Sequence, residues 1–233
     1  HWVWGGGIMA EWGVLDFAGG IVVHATAGTA ALVCALVVGK RRGFPTSIQP
    51  PHSPVLTMIG ASMLWIGWFG FNGGSQLAMG TVGDIADVSR IFANTNAAAA
   101  GGAIAALILT QVVYGKVDLT MVLNGALAGL VSITAEPLTP TLGAATLIGA
   151  VGGLIVVFSV PLLDKFKIDD VVGAIPVHLL AGIWGTLAVP VTNSDGSFGT
   201  QIVSILIVGA FTFVVSAAVW FIIKAVMGIR VSE

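Results

Sequence analysis

Seven apolar runs divide the chain, at approximately 17 to 39, 55 to 77, 91 to 114, 119 to 136, 141 to 163, 171 to 191 and 200 to 227. The connections between them, KRRGFPTSIQPPHSP, MGTVGDIADVSR, GKVD, EPLTP, LDKFKIDD and TNSDGSFG, hold the charges and turn residues. About 20 mostly apolar residues cross a hydrocarbon core about 30 Å thick, so each run predicts a transmembrane helix. None has the alternation over about ten residues expected of a membrane β-strand. The pattern therefore predicts an all-α integral membrane protein, a polytopic helical bundle forming a single transmembrane domain over residues 1–233.

Positive charge sets the orientation, because cytoplasmic loops retain Lys and Arg. If the first run passes from outside to inside, Lys40, Arg41, Arg42, Lys116, Lys165, Lys167, Lys224 and Arg230 fall inside and Arg90 falls outside. Asp84, Asp87, Glu136 and Asp195 then occupy outer loops, and the C-terminus is cytoplasmic. Composition agrees: 56% of residues are hydrophobic, 9% are charged and the mean hydropathy is +1.00, against about 25% charged residues in a soluble domain. The 32 glycines among 233 residues allow helices to approach closely. A net charge of −2 offers no basic footprint for nucleic acid. The single Cys34 lies inside an apolar run, where it has no partner for an internal disulfide. The chain opens at His1 without an initiator Met or signal-peptide features and is read as a fragment.

Polar groups inside a bilayer are costly, so each is a candidate for function. His24 stands eight residues after Asp16, about 12 Å into the first run at 1.5 Å per residue. His178 stands eight residues after Asp170 and reaches a similar depth in the sixth run. Both segments read D-x7-H-x2-A-G, at Asp16 to Gly28 and at Asp170 to Gly182. First and sixth spans run in opposite directions, which is the signature of an inverted-topology repeat with its polar site at the midplane. An isolated buried His is usually a packing residue; a matched pair on symmetry-related helices points to function. Two neutral imidazoles can hydrogen-bond each other and still offer a group to a small solute or a proton. A metal is disfavoured, because no Cys or carboxylate accompanies either His at helical spacing. Asp16 and Asp170, just before their helices, are expected as N-terminal caps.

Aromatic residues cluster in HWVWGGG and in LWIGWFGFNGGS. Interfacial anchoring accounts for most Trp. Phe71 and Ser75 share a helix face at i and i+4, and a Trp face, a Phe and a hydroxyl together can hold a small cation. Asn72-Gly73-Gly74 between them can open that helix end. The pairs Gly125/Gly129 and Gly149/Gly153 have the spacing of helix contacts. Asn94, Thr95 and Asn96 suit either interhelical hydrogen bonds or a capped break, and His1 and His52 lie in connections.

These residues resemble the Amt/MEP/Rh ammonium transporter family, on the Amt side. The likeness rests on WGGG at 4 to 7, DFAGGIVVHATAG at 16 to 28, GWFGFNGGS at 67 to 75, NGALAGLV at 124 to 131 and DDVVGAIPVHLLAGIWG at 169 to 185. It implies a fold of eleven helices, two inverted halves of five plus a long last helix, of which this chain supplies helices five to eleven. His24 and His178 would be the twin histidines of the pore. Trp4 and Ser75 would recruit ammonium on the outside, and Phe71 would gate the pore below them. Asp16 would be a structural aspartate near the site, with Asp170 in the matching position. Leu64, Trp68 and Ala174 fall where pore-lining residues are expected. Thr134 receives no role, because the connection at Glu136-Pro137 matches no family motif. A second gating Phe belongs to helices this chain does not contain, so it cannot by itself enclose a complete pore.

The resemblance further implies a transporter rather than an enzyme, with no cofactor and no metal. Ammonium would lose its proton before an apolar constriction, and ammonia would pass along the histidines. A homotrimer in the lipid bilayer of the plasma membrane is expected, with a cytosolic regulator of the PII class as a possible partner. A sensor built on the same scaffold with a fused cytosolic signalling domain is the alternative. An intramembrane enzyme lacks a nearby nucleophile or third ligand, and an ion-coupled carrier for a larger solute would differ in its uptake of methylammonium.

Overall fold

In hydrocarbon an unpaired backbone N–H or C=O costs several kcal/mol, so an apolar run long enough to enter a bilayer closes its own hydrogen bonds as a helix. The computed structural model describes residues 1–231, and every regular element among them is helical. After the short α1 (Ile8–Glu11) come α2 (Gly20–Val38), α3 (Pro54–Gly74), α4 (Val82–Tyr114), α5 (Leu119–Thr134), α6 (Leu142–Lys165), α7 (Ile175–Thr192) and α8 (Phe198–Val226). Helices α2 and α7 open with a wide π-helical turn, at Gly20–Ala25 and Ile175–Leu180, and continue as α-helix.

Two differences from the sequence reading bear on the fold. Six helices are long and apolar enough to cross a membrane. The fourth run becomes the 16-residue α5, about 24 Å long at 1.5 Å per residue and short of a hydrocarbon core of about 30 Å. The third run, which forms α4, begins nine residues before the expected 91. Thr81 accepts from the Asp84 N–H and Asp84 accepts from the Thr81 N–H, a capping box that starts the helix at Val82 and draws Asp84, Asp87 and Arg90 onto it.

Helix α5 is enclosed between α4 and α6, with residues 128–134 all buried. Glycine makes that approach possible. A Cβ on Gly102 would run into the Gly125 carbonyl, and one on Gly149 would run into the Ala98 backbone. The three helices thus meet backbone to backbone, as membrane helices do when dispersion rather than a hydrophobic effect joins them.

Prolines inside α6 and α7 remove N–H groups that would otherwise bond four residues back. Side chains from other helices take the released carbonyls. The Tyr114 hydroxyl donates to Val157 O across 3.3 Å opposite Pro161, and the Gln201 amide donates to Thr186 O across 3.2 Å opposite Pro190.

Helices α2 and α7 cross at the centre of the chain's polar site. Gly182 sits against the Gly20 carbonyl while His24 faces His178, so the two segments pair in opposite senses. A Cβ on Gly28 would strike the Leu179 backbone. The small residue closing each D-x7-H-x2-A-G segment is therefore the one that lets the partner segment reach its histidine.

Candidate functional site

Each half of the site starts from an aspartate. Asp16 is buried, and its carboxylate accepts the N–H groups of Gly19, Gly20, Ile21 and Val22 at 2.6 to 3.0 Å. Asp170 accepts those of Gly173, Ala174 and Ile175 at 2.7 to 3.1 Å. These are the first N–H groups of a helix, which have no partner within it. The chain must also turn back over its own carboxylate, and in both halves a glycine three residues on does so, Gly19 with φ 113° and Gly173 with φ 79°. The shared segment is thus D-x2-G-x4-H-x2-A-G, one glycine richer than the pattern noted above.

The wide turns that follow carry His24 and His178 to the crossing. Their Nδ1 atoms stand 3.1 Å apart, and the rings are nearly parallel, with centroids 5.2 Å apart and planes 14° from one another. One Nδ1 donates and the other accepts, since a neutral imidazole has one of each. Nε2 of His24 is buried without a hydrogen-bond partner.

Trp68 and Phe71 of α3 extend the ring system. Trp68 stacks on His24 at 5.2 Å and 13°, Phe71 lies 5.6 Å from His24, and the two are 5.4 Å apart. Trp68 is oriented by its indole N–H, which donates to the Thr134 hydroxyl across 2.9 Å; that hydroxyl donates in turn to Leu130 O. Thr134 therefore sets the ring that stacks on His24. Residue pattern gave no warning of this, because a Thr closing an apolar helix looks like a helix end.

Trp4 is tied to the segment that begins at Asp16, and Ser75 to Phe71 at the end of α3. The Trp4 indole donates to the Asp16 carbonyl across 2.6 Å, the far edge of its ring comes near Gly19, and it is 55% exposed. The Ser75 hydroxyl donates to Phe71 O across 2.8 Å at the end of α3, which continues unbroken through Asn72, Gly73 and Gly74. Buried Asn72 donates to Thr95 on α4, an interhelical bond, whereas Asn94 donates to Pro137 O and Pro140 O in the connection between α5 and α6. Leu64 is exposed one turn before Trp68, and half-buried Ala174 belongs to the turn capped by Asp170.

A cavity of ≈ 240 Å³ opens beside this end, lined by Val3, Trp4, Val14, Leu15, Asp16, Phe17 and Glu136. Glu136, buried, accepts from the Asn193 amide at 2.7 Å and from the Leu138 and Thr139 N–H groups, which organises the connection after α5. Among the described residues no three His, Cys, Asp or Glu side chains are grouped to hold a metal ion.

At the opposite end, Arg41 beyond α2 meets Asp169 before α7. The guanidinium contacts the carboxylate at 2.7 Å and the Arg41 N–H donates to it at 2.6 Å. The hydrogen-bonded guanidinium holds the Asp169 carboxyl below the usual carboxylate range. It thereby anchors the residue next to the Asp170 cap.

The family model of the Ammonium Transporter Family matches residues 1–233. The chain belongs to the ammonium transporter family. It is 38% identical to ammonium transporter Amt2 of Archaeoglobus fulgidus over 100% of the chain and 56% of that relative. It is 37% identical to the ammonium transporter of Bacillus subtilis, over 100% of the chain and 60% of that relative. Its fold matches a solved Sensor Amt Protein with TM-score 0.92 and 31% identity, over 100% of this chain and 62% of that one. Candida albicans Mep2 matches with TM-score 0.88 and 31% identity, over 100% of this chain and 56% of that one. This member of the ammonium transporter family thus spans less than two thirds of the length of the relatives it matches.

Proposed function

We propose that the protein recruits ammonium at Trp4 and Ser75 and passes ammonia, with or without the separated proton, along His24 and His178. The observation that carries the reading is the paired Nδ1 atoms at 3.1 Å, set against the Trp68 and Phe71 rings in a chain of this family. An exposed indole face attracts a small cation by about 0.5–1 kcal/mol in water and more when desolvated. Beyond it the aromatic rings favour a neutral solute, because an unpaired charge in apolar surroundings is expensive. Ammonia can donate to and accept from nitrogen, and the unpartnered Nε2 of His24 offers it one such contact.

The same reading includes a homotrimer in the plasma membrane, a cytoplasmic C-terminus and a cytosolic regulator of the PII class. The excess of Lys and Arg on one side supports the orientation. Labelled methylammonium uptake and current, measured together in proteoliposomes of the complete protein, test the proposal. Uptake that depends on the histidine pair is expected; unimpaired uptake and current after replacing both His24 and His178 by Ala would sink it.

A sensing role is the second reading, favoured by the match to a structure titled Sensor Amt Protein. A signalling output that follows external ammonium while uptake is negligible would establish it in place of transport.

A further inference from the structure

Gln201 of α8 is fully buried and spends its whole amide on distant backbone. Its Oε1 accepts the Leu15 N–H at 3.1 Å, and its Nε2 donates to Leu15 O at 2.7 Å and to Thr186 O at 3.2 Å. The Thr186 carbonyl is open to it because Pro190, four residues on, has no N–H to offer. The Leu15 peptide, 186 residues away in sequence, is held at both its N–H and its C=O.

Leu15 directly precedes Asp16. The Asp16 carbonyl accepts the Trp4 indole N–H, and its carboxylate holds the first four N–H groups leading to His24. Both Leu15 and Asp16 also line the cavity beside Trp4. The Asp16 carbonyl shares its peptide unit with the Phe17 N–H, which donates to Ala135 O across 2.8 Å, so the stretch that aims the indole is held on one side by Ala135 and on the other, at Leu15, by the Gln201 amide.

We infer that Gln201 is a positioning residue for ammonium recruitment: its clasp on Leu15, together with the Phe17–Ala135 bond on the other side, fixes the Asp16 carbonyl that orients Trp4. The inference rests on the reading of Trp4 as part of the recruitment site. The plainer account is that Gln201 only satisfies the carbonyl that Pro190 leaves open. A pair of variants separates the two. Pro190→Ala gives Thr186 a backbone partner of its own and leaves the clasp on Leu15 intact. Adding Gln201→Leu then removes the clasp without leaving the Thr186 carbonyl unbonded.

The complete protein, labelled with 5-fluorotryptophan, is followed by fluorine NMR, with the Trp4 resonance assigned through Trp4→Phe. Methylammonium uptake is measured on the same proteins in proteoliposomes. Pro190→Ala is expected to match the unaltered protein in both. The Pro190→Ala/Gln201→Leu protein is expected to show a displaced or broadened Trp4 resonance. Its half-saturation concentration is expected to rise on the order of tenfold while the maximal rate stays within about twofold, the split that marks lost binding rather than lost turnover.

An unchanged Trp4 resonance in the double variant overturns the inference whatever uptake does. A displaced resonance with an unchanged half-saturation concentration overturns the role in recruitment, and Trp4→Leu says which premise failed. If Trp4→Leu by itself raises that concentration, Gln201 does not serve recruitment. If it does not, the reading of Trp4 is wrong and only the clasp on the indole stands.

Discussion

The Nδ1 atoms of His24 and His178 face each other across 3.1 Å. One proton occupies that gap, so the tautomer of one ring dictates that of the other, and the two act as a unit. His24→Ala and His178→Ala are each expected to lower the initial rate of methylammonium uptake at least about tenfold. The double variant should be little worse than the poorer single one, because losses within a unit do not multiply. Rates that multiply would show that the rings work separately.

Trp68 depends on Thr134 in the same way. Both side chains are buried, so Thr134→Val leaves the indole N–H without a partner, at a cost of about 1–3 kcal/mol. Thermal unfolding in detergent should show the loss. Trp68→Phe in the Thr134→Val background should recover part of it, since no polar atom is then stranded. Uptake by Thr134→Val should fall as well, because the ring stacked on His24 is no longer held. Equal unfolding temperatures for Thr134→Val and the unaltered protein would exclude the hydrogen bond as an orienting force.

The pairing of D-x7-H-x2-A-G segments was legible because two costly histidines in matching frames are conspicuous against apolar runs. Thr134 and Gln201 were not, since each acts on a residue remote in sequence and a lone Thr or Gln in a helix has many uses. Helix limits failed where side-chain capping decided them: nothing apolar marks Val82, yet Thr81 and Asp84 fix it. The fourth run is helical over Leu119–Thr134, two residues short of its expected end, and hydropathy alone does not separate an enclosed helix from a lipid-facing one.

The backbone contact among α4, α5 and α6 makes a prediction in volume. A methyl group on Gly149 would meet the Ala98 backbone, which has no rotamer with which to yield. Gly149→Ala is expected to destabilise by about 1–3 kcal/mol or more, as overpacked sites do. Gly143, near the start of α6, has open space where its Cβ would stand. Gly143→Ala should be neutral or stabilising by up to about 1 kcal/mol through helix propensity. The yield of folded protein after size-exclusion chromatography and the unfolding temperature read both, and similar behaviour of the two variants would contradict the backbone contact.

Acid stability tests the Arg41–Asp169 contact. The hydrogen bond from Arg41 holds the Asp169 carboxyl below its ordinary range, so folding favours the ionised form. Its stabilising contribution is complete above the unfolded carboxyl value of about 3.9 and drains away as pH falls through the lower folded value. The Asp169 side chain is 1% exposed but that of Arg41 is 38% exposed, so screening by water keeps the pair near the range of about 0.2–1 kcal/mol seen at surfaces. Unfolding temperature measured from neutral pH down through pH 4 and below should therefore drop more steeply for the unaltered protein than for Asp169→Asn, which has no proton to gain. Arg41→Gln should flatten the acid limb toward that of Asp169→Asn, because the folded carboxyl loses the partner that held it below its unfolded value and the gap that makes stability depend on pH closes. Parallel acid limbs for all three proteins would mean that the ion pair does not couple the end of α2 to the start of α7.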